Sequence, residues 1–245
     1  MRSLVTFGLL VYIKLLTRLF YRVDVEWVGR VPPDPWKNVR LAVLLHHTSL
    51  YELLFAGGLP LCFLWRMARH GVVPAADKTI RRPFVGALFR FVARHVVAIS
   101  RERDHTWRAV LERIGPKSMV VIAPEGRMKR PGGLDLAGQP MTVRGGIADI
   151  LEALPSGRML IGTSGGLHHV QAPGERIPRV FRTIRLRLEA LDIPSYRRGL
   201  GAEPGTAEFK RAVKEDLERR RDRNVEAMTA GEGRRRPRRS KRRRP

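Results

Sequence analysis

The chain has 245 residues, 43% of them hydrophobic and 7% aromatic, which is enough apolar material for one α/β domain with a sizeable core and excludes global disorder. Its 47 Lys and Arg against 23 Asp and Glu give a net charge of +24, which favours polyanionic partners but does not choose among nucleic acid, anionic lipid and a phosphorylated substrate. Cys62 is the single cysteine, so an intrachain disulfide is excluded, and no Cys/His spacing matches a zinc site.

Residues 4–13 are an apolar run, but Lys14 and Arg18 interrupt it short of the roughly 20 residues that a membrane span needs. The small residues of a signal-peptide cleavage site are also missing, since no Ala occurs before Ala42. The run continues as a helix with Lys14, Arg18 and Arg22 on one stripe and Leu9, Ile13, Leu16 and Phe20 on another. That pattern suits a helix lying in a membrane interface, with a core helix packed on the domain as the other reading.

Residues 39–45 form a β-branched and aliphatic run ending in His-His-Thr-Ser, which predicts a buried strand, a loop and a helix start capped by Thr48 or Ser49. Short apolar runs at 61–65, 96–100, 119–123 and 159–163 read as further strands, separated by segments long enough for helices. Two of those segments, 83–94 and 144–153, carry apolar residues at helical spacing. Residues 180–191 alternate Arg with apolar residues as a half-exposed strand does, and a charged helix begins at Thr206.

The expected fold class is therefore α/β: a largely parallel sheet flanked by helices, with an N-terminal interface helix and a disordered basic tail. The boundaries fall at 1–22 for the interface helix, 23–205 for the α/β domain, 206–233 for the charged helix and linker, and 234–245 for the tail. That tail holds nine basic residues and no acidic one, and acts either as a solubilising segment or as an electrostatic anchor.

His47 and Glu52 stand five positions apart at an expected strand-to-helix turn, which can fold the two side chains together. A neutral imidazole there accepts a proton from a substrate hydroxyl, while the carboxylate fixes its tautomer and stabilises the imidazolium. A second strand-end turn reads Pro124-Glu125-Gly126-Arg127. Arg101, at the end of a third strand, suits bidentate contact with a phosphate.

The blocks His46-His47-Thr48-Ser49-Leu50-Tyr51-Glu52, Gly86 to Arg101 and Pro124-Glu125-Gly126 occur in the order of the glycerolipid and lysophospholipid acyltransferase family, which the segment 39–163 resembles. The resemblance is to enzymes of the 1-acylglycerol-3-phosphate acyltransferase kind. It implies His47 as general base, Glu52 as its orienting carboxylate, and Arg101, Glu125, Gly126 and Arg127 on the acceptor head-group side.

It further implies direct attack of a lysophospholipid, glycerolipid or glycolipid hydroxyl on an acyl-CoA or acyl-carrier-protein thioester, with no metal and no bound cofactor. The expected partners are the lipid acceptor, the acyl thioester donor and an anionic membrane surface met by the first helix and the tail. The expected location is the cytoplasmic face of the cell membrane, peripheral or monotopic. Three features depart from the family pattern: Glu52 where Asp is commoner, Arg127-Met128-Lys129 after the Pro-Glu-Gly turn, and a strand at 160–163 without its usual Pro.

Two other functional classes have some support in the sequence. Gly162-Thr163-Ser164-Gly165-Gly166 matches the nucleophile elbow of serine hydrolases, but Pro173, Gly174 and Pro178 follow where a helix is required. The charge fits nonspecific nucleic-acid binding, yet no specific reading module is present. His168 and His169 read as loop residues rather than metal ligands.

Overall fold

A computed structural model describes residues 2–80, 95–100, 105–172, 175 and 177–235. The helix expected at 83–94, the block from Gly86 to Arg101 apart from its residues 95–100, and all but the first two residues of the tail lie outside them.

Among the described residues seven strands make one sheet in the order β1-β7-β6-β2-β5-β3-β4. These are β1 (Tyr21–Trp27), β2 (Val39–Leu45), β3 (Gly71–Ala76), β4 (His95–Ile99), β5 (Met119–Ile122), β6 (Arg158–Ser164) and β7 (Arg182–Asp192). The five strands from β6 to β4 are parallel. β7 joins β6 antiparallel, and β1 pairs parallel with β7. The fold is thus a largely parallel sheet flanked by helices, as the alternation of runs predicts.

A strand buried on both faces has no polar side to show, which is why β2 reads as an apolar run from Leu41 to Leu45. Leu41, Val43 and Leu45 face one core, where Ile147, Ile150 and Leu151 of α5 (Gly146–Ala153) and Phe209, Val213 and Leu217 of α7 (Ala207–Arg235) pack on them. Ala42 and Leu44 face the other, shared with Leu10 of α1 (Arg2–Phe20), Phe55, and Phe63 and Leu64 of α2 (Leu61–His70). Each fully buried Leu or Phe contributes about 1.5–3 kcal/mol. Three such side chains at four-residue spacing are what dock the otherwise highly charged α7 on the domain.

Three short helices complete the described elements: α3 (Asp77–Ile80), α4 (His105–Glu112) and α6 (Ile193–Gly199). A 3-10 helix, Leu50–Gly58, follows β2, and Ser49 is its cap, accepting from the Tyr51 amide at 3.2 Å.

Residues 61–65, expected as a strand, open α2 instead. The run alone does not separate the two states. The decisive signal is its continuation through Phe63, Leu64, Met67 and Ala68, a helical spacing whose inward side is buried. β1 and β3 are strands that the apolar runs do not predict. β1 follows α1 with no turn residue between them. β3 contains Pro74, which the sheet accommodates because the ladder to β5 ends at Val72.

α1 is turned opposite to the expected arrangement. Lys14 and Thr17 face the protein, and Arg22 belongs to β1 rather than to the helical stripe. Lys14 Nζ donates to the carbonyls of Ala56, Gly57 and Leu59 at 3.4, 3.1 and 2.6 Å, closing the C-terminal end of the 3-10 helix. Arg18 Nε adds a bond to Gly57 at 3.1 Å. The approach is close because Gly57 has no Cβ; one there would lie 2.6 Å from Thr17 Cγ2. Leu4, Val5, Tyr12, Leu15 and Leu19 face outward.

Cations at the last carbonyls of a helix offset the negative end of its dipole, and burial lowers the proton affinity of Lys14 below the usual lysine value, with Arg18 adding to the effect. Lys14→Met keeps the length of the side chain but strands those carbonyls. It should lower the free energy of unfolding by about 1–3 kcal/mol in urea titrations; an unchanged midpoint would show that the inward stripe does not hold α1.

Candidate active site

β2 ends at Leu45, and His46 then takes φ = 60°, the left-handed region in which a residue with a side chain is uncommon. Two contacts hold it there. Its Nδ1 lies 2.8 Å from the Ser164 carbonyl at the end of β6, and its amide donates to Glu125 Oε1 at 3.2 Å. The sharp turn sends His47 to the mouth of the cleft above the strand ends, where its amide meets Glu125 Oε2 at 2.8 Å and its carbonyl accepts from Lys129 N at 2.8 Å.

His47 Nδ1 is hydrogen-bonded to Glu52 Oε2, and Glu52 Oε1 accepts from the Thr48 amide at 2.8 Å. The carboxylate is thus fixed at both oxygens. Thr48 Oγ1 in turn accepts from Leu167 N at 2.9 Å, and Ser49 Oγ donates to Gln171 Oε1 at 3.0 Å, so the segment after β6 braces the same loop.

Burial opposes the protonated form of His47, but the charge and hydrogen bond of Glu52, with help from Glu125, outweigh it and raise the proton affinity above that of an ordinary imidazole. His46 is shifted the other way, chiefly by burial, and its ring is committed to Ser164. With Nδ1–H donated to Glu52, the Nε2 of His47 is left as the acceptor. This is the arrangement of a general base with an orienting carboxylate.

The cleft that His47 lines has a volume of about 840 Å³. Leu10, Leu44, Phe55, Phe63, Leu160 and Leu186 make one flank apolar, while Ser100, Arg144, Lys210 and Lys214 line another part. Lys210 is also 3.3 Å from Asp149.

The structure separates the residues expected on the head-group side. Gly126 lines the cleft with φ = 64°, and a Cβ there would meet Arg144 at 3.2 Å. Glu125 is buried behind His47, with both oxygens on backbone amides. Arg127 turns away into its own loop, where it pairs with Asp135, whose other oxygen accepts from Ala137 N at 2.8 Å and Gln139 N at 2.9 Å. Arg101 lies outside the described residues.

At the rival elbow Ser164 is fully buried, and its Oγ accepts from Gly166 N at 3.0 Å. No helix follows it before Pro173. His168 and His169 each engage a backbone carbonyl, of Lys129 and Thr183.

The fold is shared with a solved acyltransferase. The crystal structure of the 1-acyl-sn-glycerophosphate (LPA) acyltransferase PlsC from Thermotoga maritima is similar with a TM-score of 0.55 and 18% identity, over 89% of this chain and 79% of that one. No family model and no curated protein sequence matches the chain.

Arg221 is a residue of the site that sequence reasoning missed. From α7 its Nη1 reaches Glu125 Oε1 at 3.1 Å and the Met141 carbonyl at 2.8 Å, with the side chain only 12% exposed. It stands in an Arg-Arg-Arg run on a charged helix, which by pattern reads as a solvated face. Removing one partner of a buried pair leaves the other charge uncompensated, so Arg221→Leu should cost about 3 kcal/mol of stability. A double-mutant cycle with Glu125→Gln should recover a substantial part of that loss; additive single effects would mean the two residues are not energetically coupled.

Proposed function

We propose that this protein is an acyltransferase that moves a fatty acyl group from a thioester, of CoA or of acyl-carrier protein, to a hydroxyl of a lysophospholipid or a related glycerolipid or glycolipid. The observation that carries the reading is the His47–Glu52 pair standing at the mouth of a largely apolar cleft. The fold shared with an acyltransferase supports it.

In this reading Nε2 of His47 removes the proton of the acceptor hydroxyl as its oxygen attacks the thioester carbonyl carbon. The tetrahedral adduct collapses with cleavage of the C–S bond, and the imidazolium returns the proton to the departing thiolate. The products are an ester and a free thiol, and no acyl group is attached to the protein. Glu52 keeps the ring in the required tautomer and stabilises its cationic form during transfer.

The apolar flank receives the acyl chain. The phosphate-bearing parts of the substrates lie toward Gly126, Arg144 and the basic residues of α7, with Arg101 on the acceptor side. Glu125 serves by holding the His47 loop, and Arg127 by holding its own loop through Asp135. We further propose that the protein sits at the cytoplasmic face of the membrane, with the outward face of α1 and the basic tail as its attachments.

Incubating the purified protein with labelled acyl-CoA or acyl-carrier protein and a panel of lysophospholipids and glycolipids tests the reading, with acyl transfer to a lipid hydroxyl as the expected result. His47→Ala should reduce turnover by about a hundredfold to ten-thousandfold with the fold retained, and full activity in a folded variant would exclude the proposed base.

The pH dependence has a definite sign. A base must be neutral to act, so the rate should fall as pH drops through the raised pKa of His47. Glu52→Gln removes the main cause of that rise and should move the acid limb of the pH–rate profile to lower pH, with a lower plateau. A limb that stays in place would assign the titration to another group.

A further inference from the structure

β1 and β7 run antiparallel to β6, so their first residues, Tyr21 and Arg182, lie at the end of the sheet where β2 and β6 finish, the end that carries His47. The C-terminal end of α1 and the segment 177–181 therefore flank the reactive end. They touch one another: the Phe181 amide donates to the Phe20 carbonyl at 2.7 Å, and the two rings stand 6.1 Å apart.

This segment is unusual in two ways. Ile177 is 81% exposed and Phe181 77%, with Val180 exposed between them, and Leu19 of α1, next to Phe20 in the chain, is 68% exposed. Phe181 also adopts φ = 57°, a left-handed conformation that is costly for a bulky side chain and inexpensive for Gly or Asn. The chain thus holds a large aromatic in water in a strained conformation. Strain of this kind points to a role beyond folding.

Arg22 and Arg182 are exposed at the same junctions, a basic rim that complements anionic head groups. α1 itself cannot cross a bilayer while docked, because its inner face is bonded to the 3-10 helix through Lys14 and Arg18. Both elements therefore meet a membrane from one side.

We propose that segment 177–181 is a second membrane-docking element, which inserts Ile177, Val180 and Phe181 into an anionic leaflet beside the outer face of α1 and so turns the His47 end of the sheet toward the bilayer. The inference deepens the proposed membrane attachment and rests on it, but its test needs no catalytic activity. Two apolar elements about a basic rim give more durable residence than one interfacial helix, and they also set an orientation.

The test uses the full chain with the exposed Cys62 changed to Ser. An environment-sensitive fluorophore is attached at Ile177→Cys or, for comparison, at Ser195→Cys on α6, which follows the far end of β7. On vesicles of phosphatidylcholine with phosphatidylglycerol, the label at 177 should brighten and shift to the blue, and the label at 195 should not.

Independently, Ile177→Ser with Phe181→Asn should weaken flotation with those vesicles by about tenfold or more, while the thermal midpoint stays the same or rises because Asn accepts the backbone conformation. A label at 177 that remains in water on vesicle-bound protein, or a double variant that floats as the parent does, overturns the proposal. Failure of the parent protein to float overturns it too. Acyl transfer to detergent-dispersed acceptor, measured separately, shows whether the reaction itself stands.

Discussion

The buried carboxylate of Glu125 is the group on which the His47 end of the sheet depends. Its two oxygens accept the amides of His46 and His47, and it is almost sealed from water. An ionised carboxylate in such a place is tolerable only when its lone pairs are satisfied and its charge is met, and Arg221 supplies the charge from a helix that lies 96 residues away in sequence. Three parts of the chain thus converge on one strand-end turn: β2 brings the histidines, the turn after β5 brings the carboxylate, and α7 brings the guanidinium.

That convergence explains how a backbone conformation unfavourable to His46 persists. A left-handed histidine is retained where the surroundings over-determine it, and here the Ser164 carbonyl holds the ring while Glu125 holds the amide. The consequence reaches His47, whose ring is oriented by Glu52 and whose main chain is fixed by Glu125 and Lys129. A proton acceptor placed in this way requires little reorganisation when charge develops on it.

The excess of basic residues serves more than one purpose. Much of it is solvated, but a few cations are turned inward onto backbone carbonyls. Lys14 closes the 3-10 helix. Arg40 joins the Ser118 and Gly115 carbonyls at 2.7 and 2.8 Å, and Arg221 takes the Met141 carbonyl as well as Glu125. Turning Lys14 inward also sets which side of α1 is left outside. Lys14 is taken up by the protein, and Leu4, Leu15 and Leu19 are presented to the surroundings.

The amino-acid sequence by itself determined what depends on neighbours in the chain. The apolar runs of β2, β4, β5 and β6 declare strands, that of β2 one buried on both faces, and the alternation of β7 declares a half-exposed one. His47 and Glu52 are close enough in sequence for a single turn to join them, so their pairing was legible together with the Ser49 cap. Only the tertiary structure decided what depends on partners far away. Residues 61–65 became helix because the spacing through Ala68 found a core to pack against. Glu125, expected at a substrate contact, stands behind the His46–His47 loop, because two amides 78 and 79 residues earlier needed an acceptor. Arg221 was indistinguishable from its neighbours in a charged run until α7 docked through Phe209, Val213 and Leu217. Periodicity encodes local shape and the buried face of an element, whereas the partner of a buried charge is settled only when the elements that carry it are brought together.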